Sequence, residues 1–168
     1  MWAGRGWNEL GELSRVMLFL STFEKQIDKK GRVSVPAPFR GVLAGQSFNG
    51  IIVYPSFVHP CIEACGMSRL EKLYARIESL DPFSEERDAF ATAILGGSVQ
   101  LSFDGEGRVV LPEAILTQAG ISATGIFVGK GETFEIWEPE AFRTHEAQAR
   151  ELAKAKRGAL RAEMKPGV

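Results

Sequence analysis

Apolar positions fall along the chain in short runs of two kinds. Val33 and Val35 alternate with polar neighbours, as do Val109 and Leu111, and a period of two puts each pair on one face of a strand. Gly50-Ile-Ile-Val-Tyr54 and Gly125-Ile-Phe-Val128 are continuous apolar runs of strand length. Further strand-like runs lie around Cys61 to Cys65 and Phe134 to Trp137. Helical spacing appears elsewhere. Leu70, Leu73, Tyr74, Ile77 and Leu80 follow Ser68-x-x-Glu71, a capping-box pattern. Asp81-Pro82 interrupts that helix. Ser84 then caps a second one carrying Phe90, Ile94 and Leu95, ended by Gly96-Gly97. After Pro139 a last helix bears Phe142, Ala149 and Leu152 and turns basic through Lys154, Lys156, Arg157 and Arg161.

The pattern repeats. Asp28-Lys-Lys-Gly31-Arg32-Val33-Ser34-Val35-Pro36 returns as Asp104-Gly-Glu-Gly107-Arg108-Val109-Val110-Leu111-Pro112, with Asp, Gly, Arg, Val and Pro at identical spacing. Each proline opens a short helical stretch closed by glycine, Gly45 or Gly120. The unit therefore reads strand, tight loop, strand, short helix, strand, strand, twice. Each unit alone is too small to bury a good core, so the two should lean on each other or on neighbouring chains.

Turn chemistry explains part of the motif. Asp bonds its own backbone two residues on and Gly supplies positive φ, so Asp28 to Gly31 and Asp104 to Gly107 are expected to be hairpin loops with a glycine bulge. Nothing in the turn requires Arg32 or Arg108. Each has two occupations, pairing with the nearby Asp or reaching past the loop to a phosphate or guanine edge, and an Asp that orients the Arg serves both.

Charge separates the two copies. The chain carries only −1 overall, which excludes indiscriminate adhesion to nucleic acid or anionic membrane but not a localised basic face. Residues 25 to 40 hold Lys25, Lys29, Lys30, Arg32 and Arg40 against Asp28 alone. Residues 104 to 109 hold Arg108 against Asp104 and Glu106. The first copy is thus expected to supply most affinity for a polyanion, and the second mainly Arg108 or packing.

Other chemistry is weakly represented. No apolar run approaches the roughly 18 residues of a membrane span. Met1 to Arg15 lacks the continuous segment of a secretory signal, so the expected address is the cytoplasm. Cys61 and Cys65, roughly 13 Å apart if the strand is extended, should remain free thiols. Together with His59 they offer an incomplete ligand set for zinc. Gly129-Lys130-Gly131 lacks the phosphate-loop pattern and reads as a hairpin turn. Glu135 and Glu138 have no base or metal cluster beside them. Neither catalysis, a cofactor nor a small-molecule substrate is expected. An oligomeric scaffold or antitoxin-like interaction module is the alternative to a DNA binder.

The paired Asp-x-x-Gly-Arg-Val-x-(aliphatic)-Pro motifs, His59-Pro60-Cys61, and the run from Val128-Gly129 through Phe134-Glu-Ile-Trp137 together resemble the MraZ family of bacterial transcriptional regulators, from about Met17 to about Ala153. The resemblance implies an α+β fold of two tandem SpoVT/AbrB-type units, each a swapped-hairpin β-barrel, interlocked as a pseudo-dimer within one chain and joined by connecting and C-terminal helices. Its divisions would be an N-terminal extension at 1–16, expected to be disordered, a first domain at 19–66, a helical connector at 67–97, a second domain at 98–141, and a C-terminal helix and tail at 142–168. It further implies a closed-ring homo-oligomer, associated with the nucleoid, that binds short G-rich direct repeats in the promoter of its own division and cell-wall operon, chiefly as a repressor. The family's DNA-contacting arginine falls on Arg32 and Arg108. Lys29 and Lys30 stand as phosphate contacts. The acidic second loop departs from what DNA binding favours.

Overall fold

The computed structural model describes residues 17–162, so the extension at 1–16 and the end of the tail lie outside it. Within these bounds the fold is mixed α+β. The order is β1 (Thr22–Gln26), β2 (Arg32–Ser34), α1 (Ala37–Leu43), β3 (Gly50–Pro55), β4 (Ile62–Cys65), α2 (Met67–Glu78), α3 (Glu85–Phe90), a π-helical turn (Ala91–Leu95), β5 (Val99–Ser102), β6 (Arg108–Val110), α4 (Glu113–Gln118), β7 (Thr124–Gly129), β8 (Phe134–Trp137), α5 (Pro139–Lys156) and α6 (Gly158–Ala162).

All strand pairing is antiparallel. Six strands form one sheet in the order β1-β7-β8-β4-β3-β5, and β2 pairs with β6 as a separate two-stranded ribbon. Read from either end, the six-strand order is the same once first-half strands are exchanged for their second-half counterparts. Each half lends its first strand to the other: β1 pairs with β7, and β5 with β3.

One expectation is corrected here. Among the described residues no barrel closes, because the large sheet ends in the unpaired edges of β1 and β5. The motif loops keep the expected hairpin closure with a glycine bulge, the Asp28 amide donating to Arg32 O at 3.0 Å and the Asp104 amide to Arg108 O at 2.9 Å, but the strands that leave them part at once. β1 and β2 belong to different sheets, and so do β5 and β6. Each loop is a tight corner between layers, closed by its own bonds: the Gly31 amide donates to Asp28 O at 3.0 Å and the Gly107 amide to Asp104 O at 3.1 Å.

Period-two alternation sorts the sheet into two covered faces. Ile51, Val53, Phe127 and Ile136 face the main core, where Val33 and Val109 of the ribbon, Phe39 and Leu43 of α1 and Ile115 of α4 meet them. Phe39 packs at its centre, its ring tilted 4.9 Å from Phe134 and edge-on 5.2 Å from Phe19. Full burial of such a phenylalanine stabilises the fold by about 1.5–3 kcal/mol. On the opposite face Tyr54 packs with Ile77 of α2 and Ile94 of the π-turn, and Trp137 packs with Phe142 of α5. The ribbon is thus held over one face of the sheet, with its outer surface turned to solvent.

Helix ends show where local signals hold. Ser84 caps α3, its hydroxyl accepting from the Arg87 amide at 3.2 Å. Ser68 does not cap: α2 begins one residue earlier after Gly66, and the Ser68 amide donates to Gln46 Oε1 at 3.3 Å. Pro36 and Pro112 occupy the N-cap positions of α1 and α4 rather than the first helical turn. Gly45 and Gly120 follow those helices with φ of +83° and +69°, the left-handed conformation that closes a helix.

Candidate nucleic-acid interface

The two motif loops are built alike. Asp28 Oδ1 accepts from the amides of Lys30 and Arg32, both at 2.9 Å, and Oδ2 accepts from Arg32 Nε at 2.7 Å. Asp104 repeats this with Glu106, Arg108 and Arg108 Nε at 2.9, 2.9 and 2.8 Å. The bonds from the arginine amides, aided by the guanidinium groups, hold both carboxyls below the usual carboxylate range. Gly31 and Gly107 sit at φ +83° and +74°. At Gly31 a Cβ would also lie 2.5 Å from the Leu111 carbonyl oxygen, which Gly31 faces across the ribbon.

β2 and β6 then carry the arginines away from the loops. Arg32 pairs with Val110, Val33 with Val109 and Ser34 with Arg108. Directly opposed residues of an antiparallel pair project to the same side. With Val33 and Val109 buried on the inner face, Arg32, Ser34, Arg108 and Val110 all stand on the outer one. The two arginines occupy diagonal positions, about 7–8 Å apart at their Cα atoms.

Each arginine is tethered through Nε yet remains partly open, at 40% and 34% side-chain exposure. The Asp therefore orients the guanidinium rather than consuming it. Arg32 engages Asp28 through Nε alone, whereas Arg108 Nη1 also lies 3.4 Å from Glu106 Oε2. Bonding to Asp104, with added attraction from Glu106, raises the Arg108 pKa further. Exposed Lys29 and Lys30 flank the first loop.

Space redistributes the charges that the sequence groups together. α4 of the second half packs beside the first loop, where Glu113 joins Asp28, Lys29 and Lys30 around a groove of about 640 Å³. α1 of the first half packs beside the second loop, so Arg40 lies with Asp104, Gly105 and Gly107. The first loop thus sees three bases and two acids, and the second two of each. Sequence reasoning assigned Arg40 to the first patch and overlooked Glu113. Only the strand exchange reveals either neighbourhood.

The remaining candidate residues have other occupations. Gly129-Lys130-Gly131 ends β7 and turns into β8, with the Lys130 amide donating to Thr133 O at 2.8 Å. Buried Glu135 accepts from Trp137 Nε1 at 3.1 Å and lies 3.6 Å from Lys130 Nζ. Glu138 caps α5 by accepting from the amides of Glu140 and Ala141, and these bonds lower its pKa. An acid immediately before Pro139 was the signal for that cap. His145 stacks on Trp137 at 4.5 Å, and the His59 ring lies tilted against His145 at 4.5 Å. Cys61 and Cys65 are free, buried thiols, and desolvation pushes them up to about 12 and about 11. Among the described residues, no three His, Cys, Asp or Glu side chains converge as metal ligands, and no helix is long and apolar enough to cross a membrane.

The duplicated unit with its paired arginines defines a tandem-repeat protein, and the class, transcriptional regulator, is carried by the names of its relatives. A family model described as "MraZ protein, putative antitoxin-like" matches residues 94–162. A protein of Rickettsia bellii (strain OSU 85-389), named transcriptional regulator MraZ, is 60% identical over 145 residues, covering 86% of this chain and 97% of the relative. Proteins of the same name from Rickettsia akari (strain Hartford) and Rickettsia rickettsii (strain Sheila Smith) are 55% and 54% identical over 144 residues, with the same shares covered. The chain belongs to the MraZ family, whose members are transcriptional regulators and not enzymes.

Proposed function

We propose that the chain is a sequence-specific DNA-binding repressor of its own division and cell-wall operon, reading tandem short G-rich promoter repeats as a ring-shaped oligomer in the cytoplasm, on the nucleoid. The observation that carries this reading is the pair of tethered, outward arginines on one ribbon face. A guanidinium fork matches guanine O6 and N7 or a phosphate bidentately. Asp28 and Asp104 fix its orientation before binding, which lessens the ordering cost. Lys29 and Lys30 add phosphate contacts beside Arg32. In this reading the halves are SpoVT/AbrB-type swapped-hairpin units, 19–66 and 98–141, joined by the connector at 67–97 and followed by the helix and tail from 142.

One such face has too few phosphate contacts to bind tightly at physiological salt. Several faces on one assembly would reach neighbouring repeats together, raising avidity by roughly 10²–10⁴. The open edges of β1 and β5, and the exposed Phe57, Val58 and Phe83, supply surface for such self-association. A gel shift with the DNA upstream of the chain's own coding sequence tests the reading, at a salt concentration on the order of 150 mM. Specific retardation lost in Arg32→Ala is expected. No preference over scrambled DNA overturns it and favours the alternative, an oligomeric interaction module, which the antitoxin-like family description supports.

A further inference from the structure

The geometry points to Arg40 as the phosphate-contacting residue of the second loop, supplied across the repeat by the first half; this inference rests on the DNA-binding reading above. The first loop carries lysines of its own, Lys29 and Lys30. Their counterparts in the second loop are Gly105 and Glu106. The helix beside each loop shows the reverse arrangement. Four residues after the motif proline, α4 presents Leu116 to the first loop, whereas α1 presents Arg40 to the second. A positive side chain thus stands beside the loop that lacks lysines of its own.

Arg40 is also held in place. Its Nε donates to the Val35 carbonyl at 3.1 Å, and its guanidinium packs against Gly107, with Nη1 2.6 Å from where a Cβ would stand. A side chain at 107 would displace the guanidinium from this position. The side chain is exposed and makes no ion pair among the described residues, although Asp104 lines the same groove of about 260 Å³. Anchored through Nε, it keeps both Nη groups for an anion. Beside it Arg108 is partly engaged by Glu106. The labour is thereby divided, with Arg108 at the groove and Arg40 on the backbone.

The test measures the affinity of the full chain for a duplex of its own upstream DNA across a salt series. Wild type, Arg32→Gln, Arg40→Gln, Arg40→Met and Arg40→Lys are compared, with melting temperatures recorded alongside. Arg40→Met keeps the aliphatic stem over Gly107 if the glutamine variant misfolds. Loss of Arg40 charge should reduce the slope of log K against log salt by about 0.9 per engaged subunit, weaken binding about threefold or more at 150 mM salt, and leave base preference unchanged. Arg40→Lys should restore the slope. An unchanged slope in both neutral variants, while Arg32→Gln lowers it, overturns the role of Arg40 and leaves the DNA-binding reading standing. Wild-type protein that shows no preference for the duplex over scrambled DNA overturns both.

Discussion

Val33 and Val109 lie directly opposite each other at the centre of the β2–β6 ribbon, each only 1% exposed. One comes from each half, and their side chains enter the same core as Phe39 and Phe127. The outward arginines flank this contact, so the ribbon's inner packing sets their separation.

Truncating either valine should destabilise the whole molecule. Val33→Ala or Val109→Ala is expected to cost about 1–3 kcal/mol. Both halves should still melt in one transition, because their strands are interleaved. Calorimetry showing two separate transitions would contradict the shared core.

At Gly31 the positive φ and the Leu111 carbonyl act together. Gly31→Ala should lose about 2 kcal/mol or more in denaturant unfolding and should disturb DNA binding through Arg32. A neutral result would mean that the corner can relax without cost.

Acid should loosen both corners. Asp28 and Asp104 titrate below their ordinary value of 3.8 because the folded loops donate hydrogen bonds to the charged form. A carboxyl depressed by folding contributes stability that is present above its unfolded pKa and is lost as pH falls through the folded one. Melting temperature should therefore decline below about pH 4. The double variant Asp28→Asn, Asp104→Asn should show a shallower decline. An equally steep curve would show that these loops do not govern the acid limb.

The His145 imidazole is shifted down, first by burial, then by His59 and Lys130. Its neutral form is the one that folding favours. The resulting stability is present above the ordinary value of 6.5 and fades as pH falls through the folded pKa. In a Trp2→Phe, Trp7→Phe background, Trp137 fluorescence should titrate with a midpoint below 6.5 and lose that transition in His145→Gln. A midpoint at or above the ordinary value would refute the burial.

Much of this architecture was legible in the chain. Alternation at Val33/Val35 and Val109/Leu111, and the turn chemistry of Asp28 and Gly31, are local signals, and the structure shows both where they fall. Strand partners are another matter. Nothing within residues 22–34 states that β1 will lie against β7 and β2 against β6, so the parting of the two strands beyond their hairpin loop was not legible. The same gap misplaced Arg40, whose neighbour Gly107 is far away in sequence. Ser68 was misread for a smaller reason. Gly66 entered the helix boundary first, and Gln46 took the amide that the capping box would have used.

Two separate copies of a motif, had they met as a homodimer, would have been obliged to stay identical, because every substitution would appear on both sides of the axis. Joined in a single polypeptide, the halves escape that constraint. Arg40 faces one corner while its counterpart Leu116 faces the other, so the near-symmetric frame acquires a direction. If the proposed DNA-binding reading holds, such a frame would suit successive sites that all point the same way better than a palindrome.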